Sequence, residues 1–443
     1  MIRITWLKPE ERVVHEFKQL REEGADPSSF EAAWQDIVNT CPQDEQRSEA
    51  LRILTDLRAL SGEDEDLEAF LESLPDVESV RLSETELYDR LLGGWTGRMA
   101  GCLLGKPVEK VPREGIRAIL ESVNEWPLRQ YFTAEGVPPE VTERYPWNRA
   151  SRPTSLRENI VCMPEDDDIN YAMLNLAVLE TYGVEFTTDD VATTWLQTMP
   201  ILTVFTAERV AYENLLAYLE PPETARHHNP YREWIGAQIR ADLWGWVSPG
   251  NPKRAAELAW RDARLSHTGN GIYGEMYVAA MLAAAFTTDD VTEVVRKGLQ
   301  VVPPESRLAE AVRFVLELPT HHSDWETAVD KLYERYGHYH WVHTVNNAAL
   351  LTAALLYGAG DFEKTITLAV MGGWDTDCNG ASAGAILGTM LGAKGVPEVW
   401  AGPLHNRVRT SLNGFDNVSI DELAKRTLKV VPSAHRMASA IKG

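Results

Sequence analysis

The sequence predicts an all-α protein: one multi-helix domain preceded by a small helical N-terminal extension. Three observations point there. Apolar residues recur at helical spacing along most of the 443-residue chain. Most of these segments close at or near a glycine, where helices stop. Alternating runs rich in β-branched residues, the mark of half-buried strands, are scarce. With 44% hydrophobic residues the chain can bury a sizeable core.

Taken in order, VVHEFKQLREEG (13–24), FEAAWQDIVNTC (30–41) and EALRILTDLRALSG (49–62) read as three short amphipathic helices that run into the acidic stretch GEDEDLEAFLESLPD. Residues 1–80 are therefore expected to form a helical region devoted to packing or association, and 81–443 the main domain. The main domain opens with ETELYDRLLGGWTGRMAGCLLGKPVEKV (84–111). Further helices are expected in INYAMLNLAVLETYG (169–183), VATTWLQTM, GEMYVAAMLAAAF (274–286), NNAALLTAALLYGAG (346–360) and ASAGAILGTMLGA (381–393). Residues 127–160 are Pro-rich and aromatic, and read as an ordered excursion, a lid or pocket wall. The hexapeptide FTTDDV occurs twice, at 186–191 and 286–291. Each copy precedes a helix, and Thr187 with Asp190, like Thr287 with Asp290, has the spacing of a capping box.

Charge narrows the function. There are 43 Lys and Arg against 66 Asp and Glu, a formal net charge of −23. That balance argues against a phosphate-backbone footprint and against anionic membrane surfaces. The four cysteines, Cys41, Cys102, Cys162 and Cys378, include no C-x-x-C pair. This suits a reducing cytoplasm rather than a disulfide framework. No stretch reaches the ~18 apolar residues of a membrane span.

Two acidic motifs carry the chemistry. PEDDDINYAML (164–174) sets four consecutive carboxylates, Glu165 to Asp168, at a helix start. Capping needs one or two; four together repel unless cations intervene. Hard divalent ions such as Mg²⁺ prefer carboxylate oxygens and can bridge carboxylates contributed from separate segments. GGWDTDCNGASAGAILG (372–388) places Asp375 and Asp377 one residue apart ahead of a helix with little side-chain bulk. There Gly380, Gly384 and Gly388 share one face, expected to pack closely and bring this helix start against the one at Asp168. The competing expectation is two unrelated capping clusters.

Together these stretches resemble the ADP-ribosylglycohydrolases, a family that includes the dinitrogenase reductase-activating glycohydrolases. GGWTGRMAGCLLGKPVE (93–109) resembles the family's opening Gly-rich helix, DDDINYAML (166–174) its T-D-D-T-x-x-A-L, and GWDTDCNGASAGAILG (373–388) its G-G-D-T-D-T followed by a Gly/Ala helix. SHTGNGIYGEMYVAAMLAAAF (266–286) resembles its Ser-His segment. The resemblance spans residues ~85–410 in the family's order. It implies an all-α fold, a compact orthogonal multi-helix domain, with two magnesium ions, or Mn²⁺ in their place, in a central cleft. It also implies hydrolysis of an ADP-ribosyl or related ribosyl conjugate, small molecule or protein, at the anomeric carbon. Carried over, the metal ligands are Asp166, Asp167, Asp168, Asp375, Asp377 and Cys378. Asp167, Asp377 and Glu109 are the carboxylates expected in catalysis, and His267, Gly373 and Trp374 the substrate contacts.

The chain departs from the family pattern at Asp166 and Cys378, where Thr or Ser is usual, at Ile169 for a second Thr, at Trp374 for a Gly, and at Lys106 for an Asp. Cys378 is a soft ligand poorly suited to magnesium. Trp374 offers a stacking surface for a base or sugar. His343 precedes Asn346 and Asn347 at a helix start, and the asparagines read mainly as caps, with pocket contacts the alternative. GHYHW (337–341) reads as a partly exposed aromatic loop. Gly269 and Gly271 read as points of close backbone approach. Two other functions compete. An isoprenoid-type synthase would set D-D-x-x-D inside facing helices, which EDDDIN does not match. A binding or structural relative would keep the fold and lose the metal.

Overall fold

The computed structural model describes residues 4–61, 66–77 and 80–436. Among them are 23 helices and no strand; isolated bridges pair Leu82 with Arg436, Met163 with Val408 and Trp234 with His343. Part of the acidic stretch expected after the third helix, residues 62–65, lies outside the described residues.

The first three helices are Pro9–Glu22, Ser28–Thr40 and Gln43–Leu57. Their apolar faces close on one another in a small core that includes Val13, Phe17, Leu20, Trp34, Ile53 and Leu57. The large core of the main domain is separate from it. The extension docks on the main domain through charge and through aromatic contacts of Trp6 and His15 with Tyr231 and Trp234. Arg232 is gripped by Glu16 at 2.9 Å and by Glu23 at 2.9 Å, Gln19 donates to Glu233 at 2.8 Å, and Arg12 pairs with Glu213.

The main domain sorts its helices by pattern. Gly269–Ala284, Thr344–Gly358 and Thr376–Leu391 are apolar nearly all round and almost wholly buried. Arg113–Ser122, Pro252–Ala263, Val291–Leu299 and Ile420–Val430 bury one face only. Most helices start a few residues before the expected point, because the caps lie upstream of the apolar run. Asp166 caps Asp167–Tyr182 by accepting the Asp168 N–H at 2.9 Å. Thr187 and Asp190 form the expected capping box. The second FTTDDV copy does not: Asp290 itself is the cap, accepting from Thr292, while Thr287 Oγ1 donates to the Ala284 carbonyl. One motif thus serves two local backbones.

The tightest contact in the domain joins Glu84–Gly105 to Thr376–Leu391, running antiparallel. Gly93 faces Gly388, Gly97 faces Gly384, and Gly101 faces Gly380. A Cβ on any of these six would overlap the carbonyl of the residue opposite. Gly105 ends the row against the Thr376–Asp377 peptide, and Thr376 Oγ1 donates to the Gly105 carbonyl at 2.9 Å. The glycine face therefore packs against the opening helix and not, as the sequence suggested, against the helix beginning near Asp168. That helix start is held by Arg98, whose Nε donates to the Asp168 carbonyl at 2.9 Å and whose Nη2 lies 3.2 Å from the Asp168 carboxylate. Residues 127–160 contain two short helices, Pro139–Arg144 and Arg152–Ser155, and are anchored by Phe132 against Trp147 and by Arg157 on Glu125 at 2.7 Å.

Two predictions follow from this packing. Gly101→Ala inserts a methyl against backbone that cannot rotate away, so urea unfolding should show a loss of about 1–3 kcal/mol or more. Glu22 is the second case. Its carboxyl stands 3.5 Å from His343 Nε2 in the seam under the extension, and burial raises its pKa from 4.5 to about 7. A raised acid favours the folded state as pH falls from about 7 toward 4.5 and burdens it above 7. Glu22→Gln should thus gain on the order of 2 kcal/mol over the parent at pH 8 and nothing near pH 4.5, read from paired unfolding curves.

Candidate functional site

Where the glycine row ends, the chain of the opening helix turns and delivers Lys106 and Glu109 to a cavity of about 350 Å³. Asp166 and Asp167 reach it from the start of Asp167–Tyr182, and Asp375, Asp377 and Cys378 from the start of Thr376–Leu391. Asn148, Ala150 and Ser151 of the 127–160 excursion form part of its wall, as that segment's composition suggested. Apolar cover comes from Phe205, Trp341 and Trp6, the last from ahead of the first helix.

The acidic clusters therefore meet. Cys378 Sγ donates to Asp168 Oδ2 at 3.2 Å across them. Ligand atoms of Asp375, Asp377 and Cys378 lie within 4.8 Å of one another, as do those of Cys102, Asp166 and Asp168. The wall carries seven acidic side chains (Glu109, Glu165, Asp166, Asp167, Glu208, Asp375 and Asp377) against two basic ones, Lys106 and Lys110. Burial, with Glu109 and Asp166 adding to it, pushes Asp377 up to about 7. Burial, then Asp377 and Glu109, raises Asp375; burial, then Asp166 and Asp168, raises Asp167.

The carboxylates are not equally engaged. Asp166 caps its helix with Oδ1 and accepts from Lys106 Nζ with Oδ2; Lys106 also donates to the Glu165 carbonyl at 3.0 Å. Burial opposes the Lys106 charge but Asp166 outweighs it, so its pKa rises and it is an ammonium. Asp168 is fully buried and faces Arg98, which also reaches Asp242 at 2.6 Å. Glu109 pairs with Lys110 at 3.0 Å and accepts from Asn148. Asp377 Oδ1, by contrast, is buried with no hydrogen-bond partner, and Asp375 does not spend its side chain on capping. A buried carboxylate oxygen without a donor, beside a second carboxylate not used in capping, suits a hard divalent ion.

Three expected substrate contacts sit elsewhere. Trp374 is buried and stacks on Tyr333 at 4.4 Å between centroids, because the left-handed turn at Gly373 (φ 83°) and Trp374 (φ 54°) points the indole away from the cavity. Gly373 packs against Tyr333 and Arg113. His267 is buried behind the site, sharing a proton with Ser266 Oγ at 2.8 Å and lying 4.0 Å from Glu208; burial and then Arg240 depress its pKa, keeping it neutral. Asp168 lies immediately behind the wall. Cys378 lines it, but burial and then Asp168 raise its pKa, so it stays a thiol and a donor. Gly269 and Gly271 approach Glu233 and the Arg232 carbonyl, both protein.

Other residues were not foreseen. Glu208 lines the cavity, held by Arg240 at 3.0 Å, with a pKa pushed up to about 7 by burial. It sits on the buried face of Thr206–Leu216 beside Ala207, Val210 and Ala211, and no motif marks it in the sequence. His343, not the asparagines, caps Thr344–Gly358. Asn347 instead ties the cavity together: it donates to the Trp341 carbonyl at 2.8 Å and accepts from the Asp375 N–H at 3.2 Å and from Asn379 at 2.7 Å. In the aromatic loop, His340 stacks on Trp234 and Trp341 reaches the cavity.

The family model described as ADP-ribosylglycohydrolase matches residues 83–435, and the chain belongs to that family. An uncharacterized protein of Archaeoglobus fulgidus is 31% identical over 185 residues, 40% of this chain; the match spans 55% of that relative's length. A solved structure titled ADP-ribosylglycohydrolase-related protein complex is similar at a TM-score of 0.49 with 21% identity, covering 78% of this chain and 98% of that one.

Ligands must lose their protons to hold a cation. Because Asp377 titrates near 7, Mg²⁺ or Mn²⁺ should raise the melting temperature more at pH 8 than at pH 5.5. Asp377→Asn should remove that difference, checked by calorimetry with and without chelator.

Proposed function

We propose that this chain is a magnesium- or manganese-dependent glycohydrolase that cleaves the glycosidic bond of an ADP-ribosyl or related ribosyl conjugate. The observation that carries the reading is the partnerless buried oxygen of Asp377, set beside Asp375 in a cavity whose acids outnumber its bases, within a chain of this family. Asp375 and Asp377, with Asp167 across the cavity, are the residues that would hold the ion. When bound, the ion supplies positive charge that orients ribose hydroxyls and makes a bound water more acidic.

The side chains do the rest. Asp167 and Asp377 hold the attacking water and receive its proton; a carboxyl with a pKa near 7 is well matched to that exchange at neutral pH. Positive charge develops on the sugar ring as the bond breaks, and the carboxylate wall, Glu109 at its rim included, stabilises it. Glu208, fixed by Arg240, adds a buried negative charge on the far side. Asn347, accepting the Asp375 N–H, fixes the turn that aims Asp375. Phe205, Trp341 and Trp6 provide apolar surface against which a ribosyl conjugate excludes water. The four cysteines are all unpaired, in keeping with a cytoplasmic home, and among the described residues no helix is long and apolar enough to cross a membrane.

The test is release of ADP-ribose from a panel of arginine-, serine- and acetyl-linked conjugates, followed by mass spectrometry with Mg²⁺ or with chelator. Asp167→Ala and Asp377→Ala should each slow turnover by at least about 100-fold while circular dichroism is unchanged. Undiminished turnover in both variants removes this mechanism. Metal binding without hydrolysis of any conjugate would instead favour a binding relative.

A further inference from the structure

We infer that the Lys106 ammonium is the built-in cation of the first acidic cluster, so that the centre takes a single divalent ion, seated on the Asp375–Asp377 side, in place of the pair implied by the motifs. The inference rests on the metal-dependent reading above and concerns how that site is filled.

Two of the three carboxylates of the first cluster, Asp166 and Asp168, are already committed, while Asp167 lines the cavity and is left to reach the ion from across it. Asp166 uses one oxygen on the Asp168 N–H and the other on Lys106 Nζ. Asp168 turns one oxygen to Arg98 at 3.2 Å and accepts the Cys378 thiol with the other at 3.2 Å. A divalent ion on Asp166 would have to expel Lys106 or share the carboxylate with it at like-charge repulsion. Expulsion is blocked by geometry. The Lys106 side chain is only 7% exposed, and its ammonium is also held by the Glu165 carbonyl at 3.0 Å. The residue before it, Gly105, is wedged against the Thr376–Asp377 peptide, so the backbone has no room to carry the side chain outward.

The second cluster is in the opposite state. Asp377 Oδ1 is buried without a donor, Asp375 caps nothing, and the two carboxylates lie within 4.8 Å. Unmatched negative charge thus centres on this side, with Asp167 facing it across the cavity, and its donors are oxygens, which select Mg²⁺ or Mn²⁺ over softer metals. One cation is carried by the polypeptide and survives chelation; the other is exchangeable.

The test is titration of the chelator-treated full chain with Mn²⁺, read by calorimetry and by electron paramagnetic resonance. The expected result is one equivalent per chain with the six-line spectrum of an isolated ion. Lys106→Met, which keeps the length and removes the charge, should admit a second equivalent and broaden the spectrum through spin–spin coupling. Two equivalents in the parent chain overturn the inference and leave the metal-dependent reading standing. No binding at all overturns both. A folded Lys106→Met variant that still takes one ion also overturns it; should that variant not fold, the parent stoichiometry decides alone.

Discussion

The structure depends on one constraint: two helices touching backbone to backbone. Glu84–Gly105 and Thr376–Leu391 meet through facing glycines for three turns, and no other residue type fits there. Glycine in a helix costs helical propensity, of order 1 kcal/mol each. The sequence accepts that cost at six positions because the return is registry. Facing pairs four residues apart allow no sliding, so the end of one helix and the start of the other are fixed relative to each other. Everything chemical lies at that end.

From the same opening helix come the devices that hold the two acidic segments together. The glycine face fixes the 375–377 turn, Arg98 fixes Asp168, and Lys106 fixes Asp166. Arg98 and Lys106 are charges that a core tolerates only when paired. Arg240, bound to Glu208, Asp262 and Glu275, repeats the pattern one layer away. Carboxylates that would otherwise repel one another are thus held by buried cations on rigid helices, and the surplus of negative charge is confined to the cavity.

Much of this was readable from the amino acids. The helical class followed from spacing, the meeting of Asp166–Asp168 with Asp375–Asp377 from crowded carboxylates, and the pocket wall from the composition of 127–160. What was not readable was which surfaces pair. Glycines four apart announce a close approach but not its partner, so the opening helix, with its own Gly93, Gly97 and Gly101, went unmatched to the second row. Trp374 is in the right motif, yet a left-handed turn, invisible in spacing, sends it to Tyr333. Asn347 and Glu208 carry no motif; their roles come from long-range contacts, the one with Asp375 and the other with Arg240. Lys106 was visible as an anomaly before its carboxylate partner was known.

Trp6 adds a last point. It belongs to the segment ahead of the family's 83–435 match, yet it packs edge-on to Tyr231 and Trp234 and lines the same cavity as Asp377. The working unit is accordingly larger than the homologous one. A fragment cut at the family boundary would keep every carboxylate of the cavity and lose part of its roof.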